Sequence, residues 1–461
     1  MMSLVTVAGA GDKPVTLSFD SSANAILAKQ LAAAITAGVQ NDTILPADSK
    51  DGPPQTLGGA TGEFVQSTNG LTSLPSGYKA VVVTAHDAMI FGSGDADESV
   101  LSSMGNLRFI ATDGSGTVVA GGGDNRIVVP GTDGGAWFIN TGNGDDVILA
   151  LGSGNDTINP GGGHNSIQLG NGKDLIQSSG DDTVVAGGGQ ETIAAFGKNQ
   201  DLIYGNASKL LFIADQGSAT IVGGTGSDTF FGFGGNGPDL VYGGTGGNNL
   251  LYAGNGPATL FGGGNGDQLY GWGDQKQALH AGKGNETLSG GFASGADTFY
   301  GGSGADQISG GAGKNTFVAG TGTATITAGL DTDRFVFNNG QASGSDTILN
   351  FTQGTDKIDL QGYGNDEVKQ ALKHQQVADG NDTITLSDDT KITFVGITNL
   401  TASDFLPIGG VGGDGDGDHG DGHGRHDHGD HDRDHHGHGR GLDSSDHDDH
   451  RSASDHLFGH S

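Results

Sequence analysis

Between residues 81 and 336 one apolar residue returns every nine or ten positions, a period that neither a helix nor an ordinary strand keeps. The series opens Ile90, Val100, Phe109, Val118, Ile127, Phe138, Ile148, Ile158 and continues to Phe335, never closer than eight residues nor farther than eleven. Nine residues are too few for a helical repeat. They fit a glycine-rich turn of about six residues and a strand of about three, whose middle side chain points one way and its neighbours the other. One such strand buries a single side chain. Stacked in two parallel sheets, the strands bury a continuous apolar ladder, with two phrases per coil. The predicted fold is therefore all-β: a parallel β-roll, or two-sheet β-solenoid, of about thirteen coils and roughly 60 Å at ~4.8 Å per strand.

The flanks differ. Residues 1–80 are read as an N-terminal cap region, with one amphipathic helix over Ser22 to Gln40 that presents Ile26, Leu27, Leu31, Ile35 and Val39 and is capped by Ser21 or Ser22. No basic n-region or adequate apolar core precedes it, so a secretory signal peptide is not expected. Residues 81–336 form the roll. Residues 337–408 break the period and alternate like strands around a short helix candidate, Asn365 to His374, which suits a C-terminal β cap and secretion region. Residues 409–461 hold twelve of the sixteen His, interleaved with Asp and Gly, and are read as a disordered tail. Its imidazoles could bind Zn²⁺, Ni²⁺ or Cu²⁺ weakly.

Charge narrows the partners. Asp and Glu number 54 against 21 Lys and Arg, a net charge of −33. Nucleic acid and anionic membranes are disfavoured, and cations are favoured. No apolar run is long enough to insert in a membrane. Cys is absent, so disulfides and thiolate metal sites are excluded.

The stretch Thr141 to Gln177, TGNGDDVILALGSGNDTINPGGGHNSIQLGNGKDLIQ, sets an acid or its amide two residues before each spine residue. With LGSGNDTIN (151–159), GGTGSDTFF (223–231), GGNGPDLVY (234–242) and GGSGADQIS (301–309), it resembles the RTX, or hemolysin-type calcium-binding repeat, family. The resemblance covers about residues 81–408. It implies Ca²⁺ held between turns i and i+2 on one edge of the roll by backbone carbonyls and a carboxylate, a donor set suited to an ion that takes six to eight oxygens. Carried onto this chain, the metal residues are Asp146, Asp156, Asp174, Asp182, Asp201, Asp228, Asp239, Asp297 and Asp306. Acids stand at both i and i+2 in Asp156 with Asp174 and in Asp182 with Asp201. Asp146 meets Asn165, Asp228 meets Asn249 and Asp306 meets Ala324, so calcium is expected mainly over 141–201.

Two outward rows are apolar: Tyr204, Val222, Tyr242, Phe261, His280, Tyr300, and Ile213, Phe231, Tyr252, Tyr270. Such stripes fit either ring-on-ring stacking or contact with a partner. No H-E-x-x-H or G-x-S-x-G motif occurs, and catalysis is not expected. The resemblance implies a Gram-negative source, export by type I secretion machinery and an extracellular or cell-surface location. The expected function is a non-enzymatic structural protein of a surface layer, filament or biofilm matrix that self-associates. The alternative is an adhesin or carbohydrate-binding module for an extracellular polysaccharide, and a secreted enzyme with its site on the roll face ranks below both.

Overall fold

The computed structural model describes residues 2–408 except 132–133, 207–208, 233, 292–293 and 343. The tail and its expected transition-metal site lie outside the described residues. The chain is an all-β parallel solenoid. One sheet stacks sixteen parallel strands from Gly70–Ser73 to Lys357–Gln361. The other begins at Ile44–Asp48 and Thr61–Gln66, runs up through Ser345–Leu349, and is closed by Lys391–Phe394 and the antiparallel strands Asn381–Thr385 and Gln376–Ala378. Both ladders thus extend beyond the periodic segment at either end.

Register follows the spine. Ile158 lies between Ile139 and Ile176 in one sheet, and Ile148 lies between Ile127 and Ile167 in the other. All six are essentially fully buried in one continuous core. Phe138 is corrected by one residue. Trp137 and Ile139 are the inward pair there, and Phe138 points outward. The turn before this strand is longer, which moves the phase. Each coil adds only one large side chain per sheet, so a truncation leaves a hole that no second layer refills. Ile158→Ala is expected to cost about 2–5 kcal/mol, read from denaturant unfolding at saturating calcium.

The N-terminal segment forms a β-hairpin, β1 (Ser3–Ala8) and β2 (Pro14–Phe19), followed by α1 (Ser22–Gln40). Ser21 caps α1 through the Asn24 N–H. The buried face is Ala25, Ala28, Ala32, Ile35 and Val39, while Ile26 is exposed. Ile35 and Val39 of the expected face are thus buried and Leu27 and Leu31 pack partly buried on the same core, so Ile26 alone is corrected. Small alanines let the helix lie close to the hairpin, where Val5, Val7, Leu17 and Phe19 form its core. The module packs on outward-facing Val65, Ala80, Val82, Leu101 and Val119, so it covers a sheet face. At the other end the short helix is Glu367–Lys373, within the expected span. No described helix is long and apolar enough to cross a membrane.

Candidate calcium-binding edges

The acid two residues before each spine position lands where a turn enters a strand, just inside the edge of the roll. All nine carboxylates named from the sequence are buried there. Their first role is structural. Asp156 Oδ1 accepts the Trp137 N–H at 2.7 Å, and Asp174 Oδ1 accepts the Asp156 N–H at 2.8 Å. In the same way Asp146 serves Asn125, Asp201 serves Asp182, Asp228 serves Leu210, Asp239 serves Ala219, Asp297 serves Gln277 and Asp306 serves Glu286. Asp182 differs, taking the Asn165 side-chain amide at 2.7 Å. Each acid therefore satisfies a donor one coil earlier, and the acids form two columns, one along each edge.

The second carboxylate oxygen carries the functional signal. Oδ2 of Asp146, Asp174, Asp182, Asp297 and Asp346 is buried and accepts no hydrogen bond. A buried charged acceptor without a partner is costly. Burial accordingly pushes Asp146, Asp156, Asp201, Asp297 and Asp346 up to about 6 and Asp239 to about 7. Asp174, Asp182 and Asp228 are raised for the same reason. Oxygens that lack a donor and sit beside stacked carbonyls suit a hard cation. Gly170 O and Gly172 O, for example, face the next turn, where they accept from Gly188 and Gln190. Among the described residues no three acidic or His side chains converge on one point, so backbone carbonyls must complete any coordination shell. The residues present fit calcium on those terms.

The structure brings together the pairs expected at 156/174 and 182/201 and places Asn165, Asn249 and Asn315 in the same columns. It also adds acids that sequence reasoning missed. Asp267, Glu286, Asp333, Asp346 and Asp356 all stand two before a spine residue and are buried. Glu286 faces Asp306, and Asp333 donates its N–H to Asp356 Oδ1, so paired acids recur well past residue 201. The two-before-spine rule would have found them. No sequence signal marks Asp20. It reaches the same edge from the N-terminal module. Its Oδ2 accepts the Asn143 N–H at 2.8 Å, and its Oδ1 is buried without a partner. A Cβ on Gly142 would sit 2.5 Å from that Oδ1 and one on Gly122 would sit 2.7 Å from Oδ2, so glycine makes room for a carboxylate from another module.

Asp156→Asn separates the two roles, because the amide oxygen still accepts from Trp137 while the charge is gone. Calcium affinity measured by titration is expected to fall by about tenfold or more. The metal-free melting midpoint at pH 7.5 is expected to rise, because a buried charge has been removed.

A family model described as the RTX calcium-binding nonapeptide repeat (4 copies) matches residues 138–167, 151–179, 213–246, 243–275, 293–326 and 309–341. A search of the curated proteins finds no match.

Proposed function

We propose that this chain, which carries RTX calcium-binding repeats, is a secreted, non-enzymatic structural protein that calcium rigidifies and that associates laterally with copies of itself at a cell surface, in a filament or in a biofilm matrix. The observation that carries the reading is the pair of outward columns between residues 204 and 300. Tyr204, Val222, Tyr242, Phe261, His280 and Tyr300 are in register on one sheet, and Ile213, Phe231, Tyr252 and Tyr270 on the other. The rings stack on each other, with centroids 4.7, 4.3 and 4.0 Å apart from Tyr242 to Tyr300 and 4.5 Å between Tyr252 and Tyr270. Stacking uses the ring faces and leaves a long edge facing out. Tyr204, Ile213, Val222 and Tyr242 remain more than a third exposed. A straight apolar column on each side of a repeating solenoid suits a second copy bearing the same column. Inside these stacks a polysaccharide finds no open ring face.

Secretion through a type I system agrees with the buried acids. They stay charged and mutually repelled where calcium is scarce, and become the binding groups where it is plentiful. Electron microscopy and sedimentation at millimolar calcium test the assembly. Filaments or sheets that Tyr242→Ser with Tyr270→Ser abolishes are expected. Dispersed monomers at every concentration would overturn the reading.

A further inference from the structure

Beyond the calcium edges and the aromatic columns, one cleft of about 240 Å³ opens where the N-terminal module meets the roll. Its position follows from one outward column of the longer sheet. Val65, Val82, Leu101 and Val119 are in register and lie under the module. The next two members, Asn140 and Asn159, lie at the module's rim and line the cleft. Gln177 stands one past Ile176 as Asn159 stands one past Ile158, and it lines the cleft too. The column then returns to apolar residues at Ala194 and Ile213. Amides occur only where the cleft is.

The amides are not spent on the fold. An amide column built for stability passes hydrogen bonds from strand to strand. Here Oδ1 of Asn140 and Oδ1 of Asn159 are both buried and accept none, although Asn140 is only 6% exposed. Such groups cost stability unless a ligand supplies donors. The opposite wall is fixed. Asn24 Nδ2 donates to Ala120 O at 3.0 Å and to Thr141 O at 2.7 Å, which ties the start of α1 to the roll. Ser21 and Ser179 add hydroxyls, and Phe196 adds a ring that is half exposed. Unlike the rings of the two columns, Phe196 takes part in no ring stack among the described residues, and it lines the cleft half exposed.

We propose that this cleft binds a neutral, hydroxyl-rich ligand, one saccharide unit, with Asn140, Asn159 and Gln177 on its hydroxyls and Phe196 against its C–H face. Charge excludes the alternatives. In a chain of net charge −33 no charged residue lines the cleft, so it holds neither the basic groups an anion needs nor the carboxylates a divalent cation needs. Amides and hydroxyls both donate and accept, as sugar hydroxyls do. Three amides on neighbouring strands span roughly 10 Å at ~4.8 Å per strand, the reach of one ring and its substituents. The volume is below the ~300 Å³ at which pockets for larger ligands begin. This site is independent of the self-association reading and of the calcium edges.

The test uses the full chain with calcium and a panel of methyl glucoside, galactoside, mannoside and N-acetylglucosamine at up to tens of millimolar. Binding is followed by saturation-transfer NMR and calorimetry. At least one sugar is expected to bind, and Phe196→Ser and Asn159→Ala are each expected to weaken it about tenfold or more. Phe196 is exposed and Asn159 is half-buried, and an unchanged circular dichroism spectrum checks that each variant folds. Tyr270→Ser, on the stacked column, is expected to leave binding unchanged. Absence of binding across the panel overturns the proposal, as does an equal loss in Tyr270→Ser. A calcium-binding heat that Asn159→Ala removes would also overturn it, by making the cleft a cation site.

Discussion

Chelation of calcium at pH 7.5 is expected to lower the melting midpoint of the β-roll steeply, and lowering the pH to 5 without calcium is expected to restore much of it. The first half follows from linkage. An ion at a thousand times its dissociation constant stabilises the form that binds it by about 4 kcal/mol per site. Total folding stability is on the order of 5–15 kcal/mol, so losing several sites removes most of it. The second half follows from the sign of the carboxyl shifts. Burial raises Asp146, Asp156, Asp201, Asp297, Asp333 and Asp346 to about 6 and Glu98 and Asp239 to about 7. In the unfolded chain these groups titrate near their ordinary values, at about 4. The metal-free folded form therefore binds more protons. Its protonation-linked stability is full below about pH 4 and is lost as pH rises through 6 to 7. With calcium present the direction reverses, because protons compete for the same oxygens, and affinity falls as pH drops through 6. Far-UV circular dichroism against temperature, with and without chelator at pH 5 and 7.5, reads all four states. A chelated protein that melts at the same temperature at both pH values and matches the calcium-loaded protein would refute both halves.

The part of this molecule that is legible in its sequence is the part governed by nearest neighbours. A spine residue fixes its own strand, and the carboxylate two before it fixes the preceding coil's N–H, as Asp174 does for Asp156. Nothing distant is needed, so the period alone gives the two sheets and their register. The phase failed only at Phe138, where a longer turn brings Trp137 and Ile139 inward together. Over Thr61–Gln66 the spacing persists, with Phe64, Thr72, Val81 and Ile90 eight or nine apart, but a polar Thr at the second inward position interrupts the apolar series. Asp267 and Glu286 are readable by position, although Gly266 displaces the phrase before Asp267 and the in-phase AGKGNETLS carries Glu where the phrase has Asp. The N-terminal module is a different case. Ser21 and the helix are local signals, but Asp20 meets Asn143 and Asn24 meets Thr141 through tertiary packing across more than a hundred residues. The cleft lies on that same long-range junction, so neither its amides nor Phe196 stands out in the chain.

Gly187→Ala is expected to break the roll locally, at a cost of about 3 kcal/mol or more, whereas Gly188→Ala next to it is expected to cost less than about 1 kcal/mol. The two differ in what lies beneath them. A Cβ on Gly187 would sit 1.4 Å from Gly170 O and 2.4 Å from Gly170 C, both backbone atoms of the preceding coil's turn. Neither can move without parting the two turns. A Cβ on Gly188 would meet Asn171 Oδ1 at 2.4 Å and nothing else closer than 3.6 Å, and that side chain can swing away. The stacked turns also carry the carbonyls offered to the ion, so Gly187→Ala is expected to weaken calcium binding near Asp174 as well. In a solenoid each coil rests only on its neighbours, so the damage stays local. Hydrogen exchange is expected to lose protection over the coils around residues 170–190 while the coils around Leu269 and Phe299 keep theirs. Equal melting losses in the two variants would mean that close backbone stacking is not what glycine secures at these turns, and the edges that hold the acids would need another source of rigidity.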